Sequence, residues 1–345
     1  MKNLKYSLLI VLAAFIWGSA FVAQSVGMNY IGPFTFGMAR FYIGSLVLVP
    51  VIMVFDRKKQ SSVDNDVAGD DLTSGISEKS AKIPKDLINI SEDSAMISEE
   101  SVKAKADLSS IPFKNLATRE RLILGGILCG TVLCIASSFQ QVGIQYTTAG
   151  KSGFITSLYV ILVPIFGIIL HEKATAVMWI GALISLAGMY LLCISETMSV
   201  NAGDVLTFFC AVFFAVHIIV VGRFAPFVDG IKLSCIQFFV AGIISTVLAF
   251  IFEKPDPSMM LQAAIPILYA GVLSCGVAFT LQTIAQKKVN PVLCSLLFSL
   301  ESVFSVLTAW LILHDTLSIK EIIGCILVFA AVVLVQVAPA VSKRT

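Results

Sequence analysis

Charged residues are scarce in this sequence, and long apolar runs take their place. Charged side chains make up 13% of its 345 residues and hydrophobic ones 57%, whereas an ordinary soluble domain is roughly 25% charged. With a mean hydropathy of +0.91, the chain has more apolar surface than a soluble fold can bury. We therefore expect a protein whose solvent is the bilayer, where each apolar run of about 20 residues is one transmembrane helix.

The sequence also lacks the motifs of several protein classes. It has no His-Glu-x-x-His zinc motif, no Gly-x-Ser-x-Gly nucleophile motif and no Gly-rich phosphate-binding loop, so nothing indicates an enzyme, a cofactor or direct use of ATP. No basic stripe with interleaved aromatics indicates nucleic-acid binding. The eight cysteines lie in apolar runs without zinc or disulfide spacing, which predicts free thiols and no metal site.

Apolar runs separated by short connections predict ten transmembrane helices. Lipid offers backbone N–H and C=O groups no partner, so each run must satisfy its own hydrogen bonds as a helix. The predicted spans are 6–26, 33–55, 122–141, 149–170, 176–194, 204–221, 233–252, 264–285, 291–313 and 319–337. The expected fold class is an all-α polytopic membrane protein.

The segment 56–121 differs from the rest of the chain. It holds 11 of the 24 Lys and Arg residues and 13 of the 22 Asp and Glu residues, with many serines and few aromatics. Such a composition cannot build a core, which predicts a mostly disordered loop. A regulatory or partner-binding segment and a tolerated insertion both stay open.

Lysine and arginine are distributed unevenly between the connections. If the N-terminus is cytoplasmic, the outer connections carry only Lys254, with Lys151 and Lys320 at helix starts. The inner side then carries Lys2, Lys5, Arg57, Lys58, Lys59, Arg119, Arg121, Lys173, Arg223, Lys232, Lys287, Lys288, Lys343 and Arg344. Because cytoplasmic connections are the ones enriched in Lys and Arg, we expect both termini and the 56–121 segment in the cytoplasm. The expected location is the cell membrane, inner or plasma.

A weak internal repeat joins the two halves of the chain at an offset of 143 residues. The matches pair Ser152 with Ser295, Val160 with Val303, Ile169 with Ile312, Gly181 with Gly324 and Ala187 with Ala330. With five predicted spans in each half, one copy must be upside down relative to the other. We expect two inverted five-helix repeats, 1–195 and 203–340, with a substrate site near the midplane where they meet.

A few ionisable residues lie inside the predicted spans. Such a group at the bilayer centre costs at least about 2.5 kcal/mol, so it usually faces a cavity or a partner. Glu301, near the middle of the ninth span, is either a proton-linked or cation-binding group or a structural one. Arg40 either binds a substrate carboxylate or phosphate, or pairs with the other half or reaches the headgroups. Lys151 and His217 are further candidates for substrate binding. The alternatives are that Lys151 snorkels to the membrane surface and that His217 is a structural polar residue.

Amide and aromatic side chains complete the predicted cavity wall. Gln24, Gln237 and Gln282 lie in the first, seventh and eighth spans, where amides either read a polar solute or hold helices together. Trp17 and Tyr159 either stack on a substrate or pack between helices. The predicted substrate-binding set is Trp17, Gln24, Arg40, Lys151, Tyr159, His217, Gln237, Gln282 and Glu301, with no catalytic or metal-binding residue.

Short motifs along the chain resemble the EamA-type members of the drug/metabolite transporter superfamily. The first span reads FIWGSAF over residues 15–21, like that family's opening Trp-Gly helix, and Arg40 with Phe41 matches its usual arginine. Residues 141–150, which read QVGIQYTTAG, and 155–159, which read ITSLY, resemble its third and fourth helices. The resemblance covers nearly the whole chain outside the charged segment.

The second half carries the resemblance less strictly. Glu301 and the Ser-Val-Phe after it lie where the family commonly has Glu-Pro-Val-Phe, and the absence of that proline at Ser302 predicts a straighter ninth helix. His-Glu at 171–172 and His-Asp at 314–315 replace the customary Gly-Glu.

The resemblance implies two inverted EamA repeats around a central cavity, with the fifth and tenth helices outside it. It implies a secondary transporter, often an exporter, of small metabolites such as amino acids or of drug-like solutes, working by alternating access. A shared fold does not choose among these substrates. The rivals are a membrane-embedded lipid-modifying enzyme and a non-transporting structural membrane protein. The expected partners are a small-molecule substrate and the lipid bilayer, while a homodimer and proton coupling through Glu301 stay open.

The charge distribution predicts how the 56–121 segment reacts in cells. A cysteine placed at Ser74, in a chain stripped of its eight native cysteines, should be shielded from an impermeant thiol reagent in intact cells because the membrane separates the two. It should react once the membrane is permeabilised. Labelling in intact cells would put the segment outside and reverse the topology.

Overall fold

Helices are the only regular elements in the described part of the chain. The structure is a computed structural model that describes residues 4–71, 116–147, 149–169, 175–193, 201–313 and 318–342. Its α-helices are α1 (Leu4–Gly27), α2 (Pro33–Asp71), α3 (Thr118–Gly143), α4 (Ala149–Thr156), α5 (Tyr159–Ile169), α6 (Ala176–Cys193), α7 (Ala202–Phe224), α8 (Gly230–Phe252), α9 (Pro257–Gln262), α10 (Ala264–Leu268), α11 (Thr280–Ala285), α12 (Pro291–Phe298), α13 (Leu300–Leu313) and α14 (Ile319–Ser342). A short 3₁₀ turn, Ala225–Phe227, follows α7, and a π-helical segment, Tyr269–Phe279, joins α10 to α11.

These elements supply the passes of a polytopic membrane protein. Within the described ranges, nine helical stretches are long and apolar enough to cross a membrane, and Ala176–Leu192 in α6 is a shorter apolar helix. The fourth pass consists of α4 and α5, the eighth runs from α10 to α11, and the ninth consists of α12 and α13. The predicted all-α polytopic membrane fold is confirmed.

The second helix continues past the predicted end of its span. Because α2 runs to Asp71, the prediction of a loop beginning at 56 was wrong for residues 56–71. No proline or glycine interrupts residues 56–68, and the lysines, arginine and glutamine there are good helix formers. A helix can therefore persist beyond the apolar span. Residues 72–115 of the predicted loop lie outside the described part of the chain.

The chain divides into two compact units. One contains Met1–Pro50 together with Leu122–Thr345, and the other contains Val51–Arg121. Every side-chain contact discussed below lies within the first unit.

The fourth pass is interrupted in its middle, between α4 and α5. The amides of Leu158 and Val160 bond three residues back, to Ile155 at 3.2 Å and Ser157 at 3.0 Å, rather than four. Pro164 lies further along, inside α5. The hydrogen bond that it cannot make is to the carbonyl of Val160, so it does not account for the break at Ser157 and Leu158.

The ninth pass is interrupted as well, without a proline. Its break is at Ser299, between α12 and α13, and the expectation that this helix is straighter than in the family stays a prediction. The hydroxyls of Ser295 and Ser299 bond back to the carbonyls of Val292 at 2.9 Å and Leu296 at 2.6 Å. Such back-bonding competes with the helical ladder and bends helices. The two interruptions fall at nearly matching positions of the predicted repeats.

The two predicted halves pack against each other through glycines. A Cβ on Gly188 in α6 would lie 2.8 Å from the carbonyl oxygen of Gly324 in α14, and one on Gly143 in α3 would lie 3.0 Å from that of Gly203 in α7. Small residues allow this close approach of backbones in membranes. The fifth pass therefore packs on the tenth, and the third pass packs on the sixth. The inversion and the boundaries of the repeats stay predictions.

The cysteines whose side chains the structure describes are free thiols, as predicted. Leaving aside Cys193, all are unbonded, and five of them are buried in the helix bundle.

Candidate functional site

A cavity with polar and aromatic walls lies inside the first unit. Its volume is about 50 Å³, below the roughly 300–1,000 Å³ of small-molecule pockets, so a solute larger than a few water molecules requires the helices around it to move apart. Its lining residues are Trp17, Phe21, Gln24, Arg40, Ser137, Gln140, Thr156, Tyr159, Phe214, His217, Ile218, Ser274, Phe279, Gln282, Phe298 and Glu301. None of them belongs to α6 or α14, the fifth and tenth passes that the resemblance places outside the cavity.

Trp17 is held in the wall by contacts on several sides. Its ring centroid lies 4.6 Å from that of Phe279 and 4.8 Å from that of Phe298. Its indole N–H donates a hydrogen bond of 3.4 Å to the backbone carbonyl of Ser274, in the π-helical segment. These contacts join the first, eighth and ninth passes, so Trp17 packs between helices while still facing the cavity.

Glu301 lies where the interrupted fourth and ninth passes meet. Its Oε1 accepts hydrogen bonds from the hydroxyls of Ser157 at 3.1 Å and Tyr159 at 2.9 Å. Ser157 also lies 3.1 Å from the hydroxyl of Ser302, the residue in place of the family's proline. Gly18 lets α1 reach this point, since a Cβ there would lie 2.5 Å from the carbonyl oxygen of Glu301. Within the described residues, Glu301 has no basic group within 4.0 Å.

Arg40 lies in the same wall and is almost completely buried, with 4% of its surface exposed. Its Nη1 donates to Oε1 of Gln24 at 3.0 Å. The guanidinium carbon lies 4.9 Å from the ring centroid of Phe41 and 5.7 Å from that of Phe36, within the range of cation–π attraction. The Nε has no hydrogen-bond partner in the described part of the chain.

His217 on the sixth pass and Gln237 on the seventh form a buried pair. The Nε2 of His217 lies 3.1 Å from Oε1 of Gln237, and neither side chain has exposed surface. His217 lines the cavity, whereas Gln237 stands behind it. Gln237 therefore orients the imidazole instead of facing a solute.

Gln282 occupies the eighth-pass side of the cavity. Its Nε2 donates to Oε1 of Gln286 at 2.9 Å, and Nε2 of Gln286 donates to the carbonyl of Ile218 at 2.8 Å. This chain ties the eighth pass to the sixth. It leaves Oε1 of Gln282 without a partner among the described residues.

Several buried polar atoms in the wall lack protein partners. Nε of Arg40, Nδ1 of His217 and Oε1 of Gln282 all belong to cavity-lining residues and have none within the described ranges. Buried polar groups are ordinarily hydrogen-bonded, and leaving one unsatisfied costs about 1–3 kcal/mol. A wall with several unpaired donors and acceptors is one that water or a polar solute completes.

Lys151 was predicted to bind substrate, but in the structure it has another partner. Its Nζ pairs with Oδ2 of Asp204 at 2.5 Å, and it does not line the cavity. Asp204 also accepts a hydrogen bond from Thr147 at 2.8 Å and closes a capping box with Asn201 at the start of α7. Lys151 thus neither snorkels freely nor faces the cavity, since it joins the fourth pass to the sixth.

A second polar contact joins the halves where the second pass begins. The Glu253 carboxylate, just after α8, accepts hydrogen bonds from the backbone N–H of Phe34 and Thr35, both at 2.8 Å, and from the Thr35 hydroxyl at 2.6 Å. A carboxylate at this position satisfies the free amides of the α2 N-terminus. Any motion that separates the second and seventh passes here must break these bonds.

The structure brings together most of the predicted site and adds residues that the sequence did not single out. Trp17, Gln24, Arg40, Tyr159, His217, Gln282 and Glu301 share one cavity, and their roles in substrate binding stay predictions. Phe21, Phe214, Phe279 and Phe298 were not predicted, because an apolar aromatic in a transmembrane helix is as often in lipid as in a cavity. Ser157 was quoted only as part of a motif, although it holds Glu301.

The fold and this site define a polytopic membrane protein with an internal polar cavity, the architecture of a membrane transporter. The model of the EamA-like transporter family matches residues 4–68, 107–194 and 201–337. The chain therefore belongs to the EamA-like transporter family, and its predicted membership is confirmed. The unmatched stretch, 69–106, lies within the charged segment.

Curated relatives agree with this assignment, and a solved structure has the same fold. The chain is 25% identical over 337 residues to an uncharacterized transporter of Archaeoglobus fulgidus, covering 97% of this chain and 87% of the relative. It is 22% identical over 334 residues to the uncharacterized transporter YoaV of Bacillus subtilis, covering 94% of both. A crystal structure at 18% identity matches with a TM-score of 0.64 over 97% of both chains, which supports the fold alone.

The Lys151–Asp204 pair predicts a coupled loss of stability. With 24% and 6% of their side chains exposed, Lys151→Met and Asp204→Asn should each lower the free energy of unfolding by about 1–3 kcal/mol, between the values for exposed and buried pairs. The double variant should lose clearly less than the sum of the two. Melting temperatures in detergent measure this, with Lys320→Met, at an exposed lysine, as the control. Additive losses would mean that the pair does not interact.

Proposed function

We propose that this chain is a secondary transporter of small polar or amphipathic metabolites that works by alternating access. The observation that carries the proposal is the cavity at the meeting point of the two interrupted passes, whose wall combines Arg40 and Glu301 with unpaired polar atoms. Interrupted helices at corresponding positions of two repeats are typical of transporter substrate sites. Rocking one half against the other would open the same cavity to each side in turn.

The proposed direction is outward, across the cell membrane, with both termini in the cytoplasm. The Lys and Arg distribution supports this orientation. The direction is supported by the resemblance to EamA-type members, which often export, and the same resemblance puts amino acids and drug-like solutes among the candidate substrates.

Proton coupling through Glu301 is part of the proposal. Its carboxyl group is buried, with 4% of the residue exposed, and its hydrogen-bond donors are two hydroxyls instead of a cation. An ion pair with Arg40 or Lys151 would have given Glu301 a structural role. However, Arg40 bonds to Gln24 and Lys151 pairs with Asp204, so the observed arrangement favours a group that can take up and release a proton.

A membrane-embedded lipid-modifying enzyme is the rival from another class. It would need a cluster of nucleophile, acid–base or metal-ligating groups at one membrane depth. Among the described residues, the cavity wall offers a single carboxylate and a histidine held by an amide, and the family and its relatives are described as transporters. A structural protein that moves nothing would have no use for a cavity with unpaired polar atoms.

Replacement of Glu301 by glutamine separates the coupling roles. We expect Glu301→Gln, which resembles the protonated form, to exchange substrate between two filled compartments but not to accumulate it against a gradient. Proteoliposomes with a metabolite mixture, with and without a proton gradient, identify the substrate and measure both activities.

Glu120→Gln removes an exposed carboxylate and is the matched control, which should behave like the wild type. Normal gradient-driven uptake by Glu301→Gln would contradict coupling through this residue. Absence of any transported solute in the wild type would contradict the transporter proposal itself.

A further inference from the structure

The Arg40 guanidinium is a buried cation without a protein anion. Its single hydrogen bond in the described part of the chain is the one from Nη1 to Gln24. Gln24 offers a neutral amide oxygen, which does not compensate the charge. The backbone carbonyl of Gln24 accepts a weak bond of 3.4 Å from Gln141, so this amide residue is itself held in place beside the arginine.

The acidic residues that could neutralise Arg40 have other partners. Asp204 pairs with Lys151, Glu253 caps the start of α2, and Glu301 accepts from hydroxyls on the fourth pass. Among the described residues, none of them comes within 4.0 Å of Arg40. A charge in a transmembrane span is costly unless it pairs or faces a cavity, and Arg40 lines the cavity.

The contacts of Arg40 leave one particular edge of the guanidinium available. Phe36 and Phe41 lie within cation–π range, and Nη1 is used by Gln24. Nε and Nη2 form the opposite edge, and neither has a hydrogen-bond partner in the described ranges. Two parallel N–H groups on one edge match the two oxygens of a carboxylate or a phosphate.

We propose that the transported solute carries an oxyanion, a carboxylate or a phosphate, which binds the Nε–Nη2 edge of Arg40. This inference rests on the proposed transport function and names its substrate class. The rest of the solute is organic and partly apolar, because Trp17, Phe21, Phe279 and Phe298 line the same cavity. Inorganic anions would use the guanidinium but leave this aromatic wall bare.

The test compares acids with their neutral analogues on the purified full-length protein. Probes are phenylacetate, L-phenylalanine and L-leucine with their respective amides, and phenyl phosphate with phenol. We expect at least one acid to bind at least about tenfold more tightly than its neutral analogue, the value for a charged hydrogen bond, as measured by ligand-dependent melting temperature. Carboxylates and the phosphate ester identify which oxyanion the site takes.

Variants assign that preference to Arg40. Arg40→Gln should abolish it, and Arg40→Lys should weaken it because a lysine offers no side-on pair of donors. Arg119→Gln, which removes an exposed arginine, should keep it. If Arg40→Gln does not fold, Gln24→Glu tests the same point, since it puts a carboxylate on the guanidinium from within. This variant should fold and lose the preference, while Gln262→Glu at an exposed position should keep it.

Each other result overturns the inference. Equal binding of acids and neutral analogues, binding of no acid, binding of chloride or inorganic phosphate alone, or a preference that survives in Gln24→Glu would all reduce Arg40 to a structural cation. Transport of the metabolite mixture in proteoliposomes separates this failure from failure of the proposed function. Continued transport of neutral solutes would leave the function standing, whereas no transport would remove both.

Discussion

The cost of a polar group in lipid is the constraint on which this structure depends. Every buried amide, hydroxyl and charge in the bundle has to find a partner or border an aqueous space, because the hydrocarbon offers neither. Most of the polar side chains meet this constraint by gathering between helices of both halves. The cavity is the space that they leave. At the interruption of the fourth pass, Ser157 bonds to Glu301, and at that of the ninth pass, Ser299 bonds to Ser185.

Two kinds of contact join the halves, and they have different consequences. Close glycine contacts, such as Gly188 with Gly324, make a dry, tightly packed seam outside the cavity. Polar contacts, such as Lys151 with Asp204 and Glu253 with Thr35, can break and reform as water enters. An alternating-access motion would therefore keep the first kind and exchange the second.

The sequence predicts much of the fold, because hydropathy and backbone satisfaction leave few alternatives. Nearly all spans, the free cysteines and the interior position of Glu301 follow from those rules alone. The extension of α2 to Asp71 could not be predicted by them, since a helix in water depends on weak propensities. The break at Ser299 was missed because serine bends a helix only when its hydroxyl turns back to the ladder, a rotamer choice that tertiary packing makes.

The candidate site could likewise be predicted only in part. Charged and amide residues in spans are conspicuous, so Arg40, Gln282 and Glu301 could be singled out from the sequence. The pairing of these residues could not be predicted. Lys151 was expected in the cavity, whereas the structure pairs it with Asp204 from the other half. The aromatic residues of the cavity wall could not be predicted from the sequence. A phenylalanine is stable in lipid, so nothing in the sequence separates one that faces the cavity from one that faces the bilayer.

The central claim is that one cavity faces both sides of the membrane in turn. A single cysteine at Ser274, a cavity-lining position, can be probed in right-side-out and inside-out vesicles of a chain without native cysteines. Our account predicts that an impermeant thiol reagent modifies it from either side. Modification from one side only, or from neither, would contradict alternating access through this cavity.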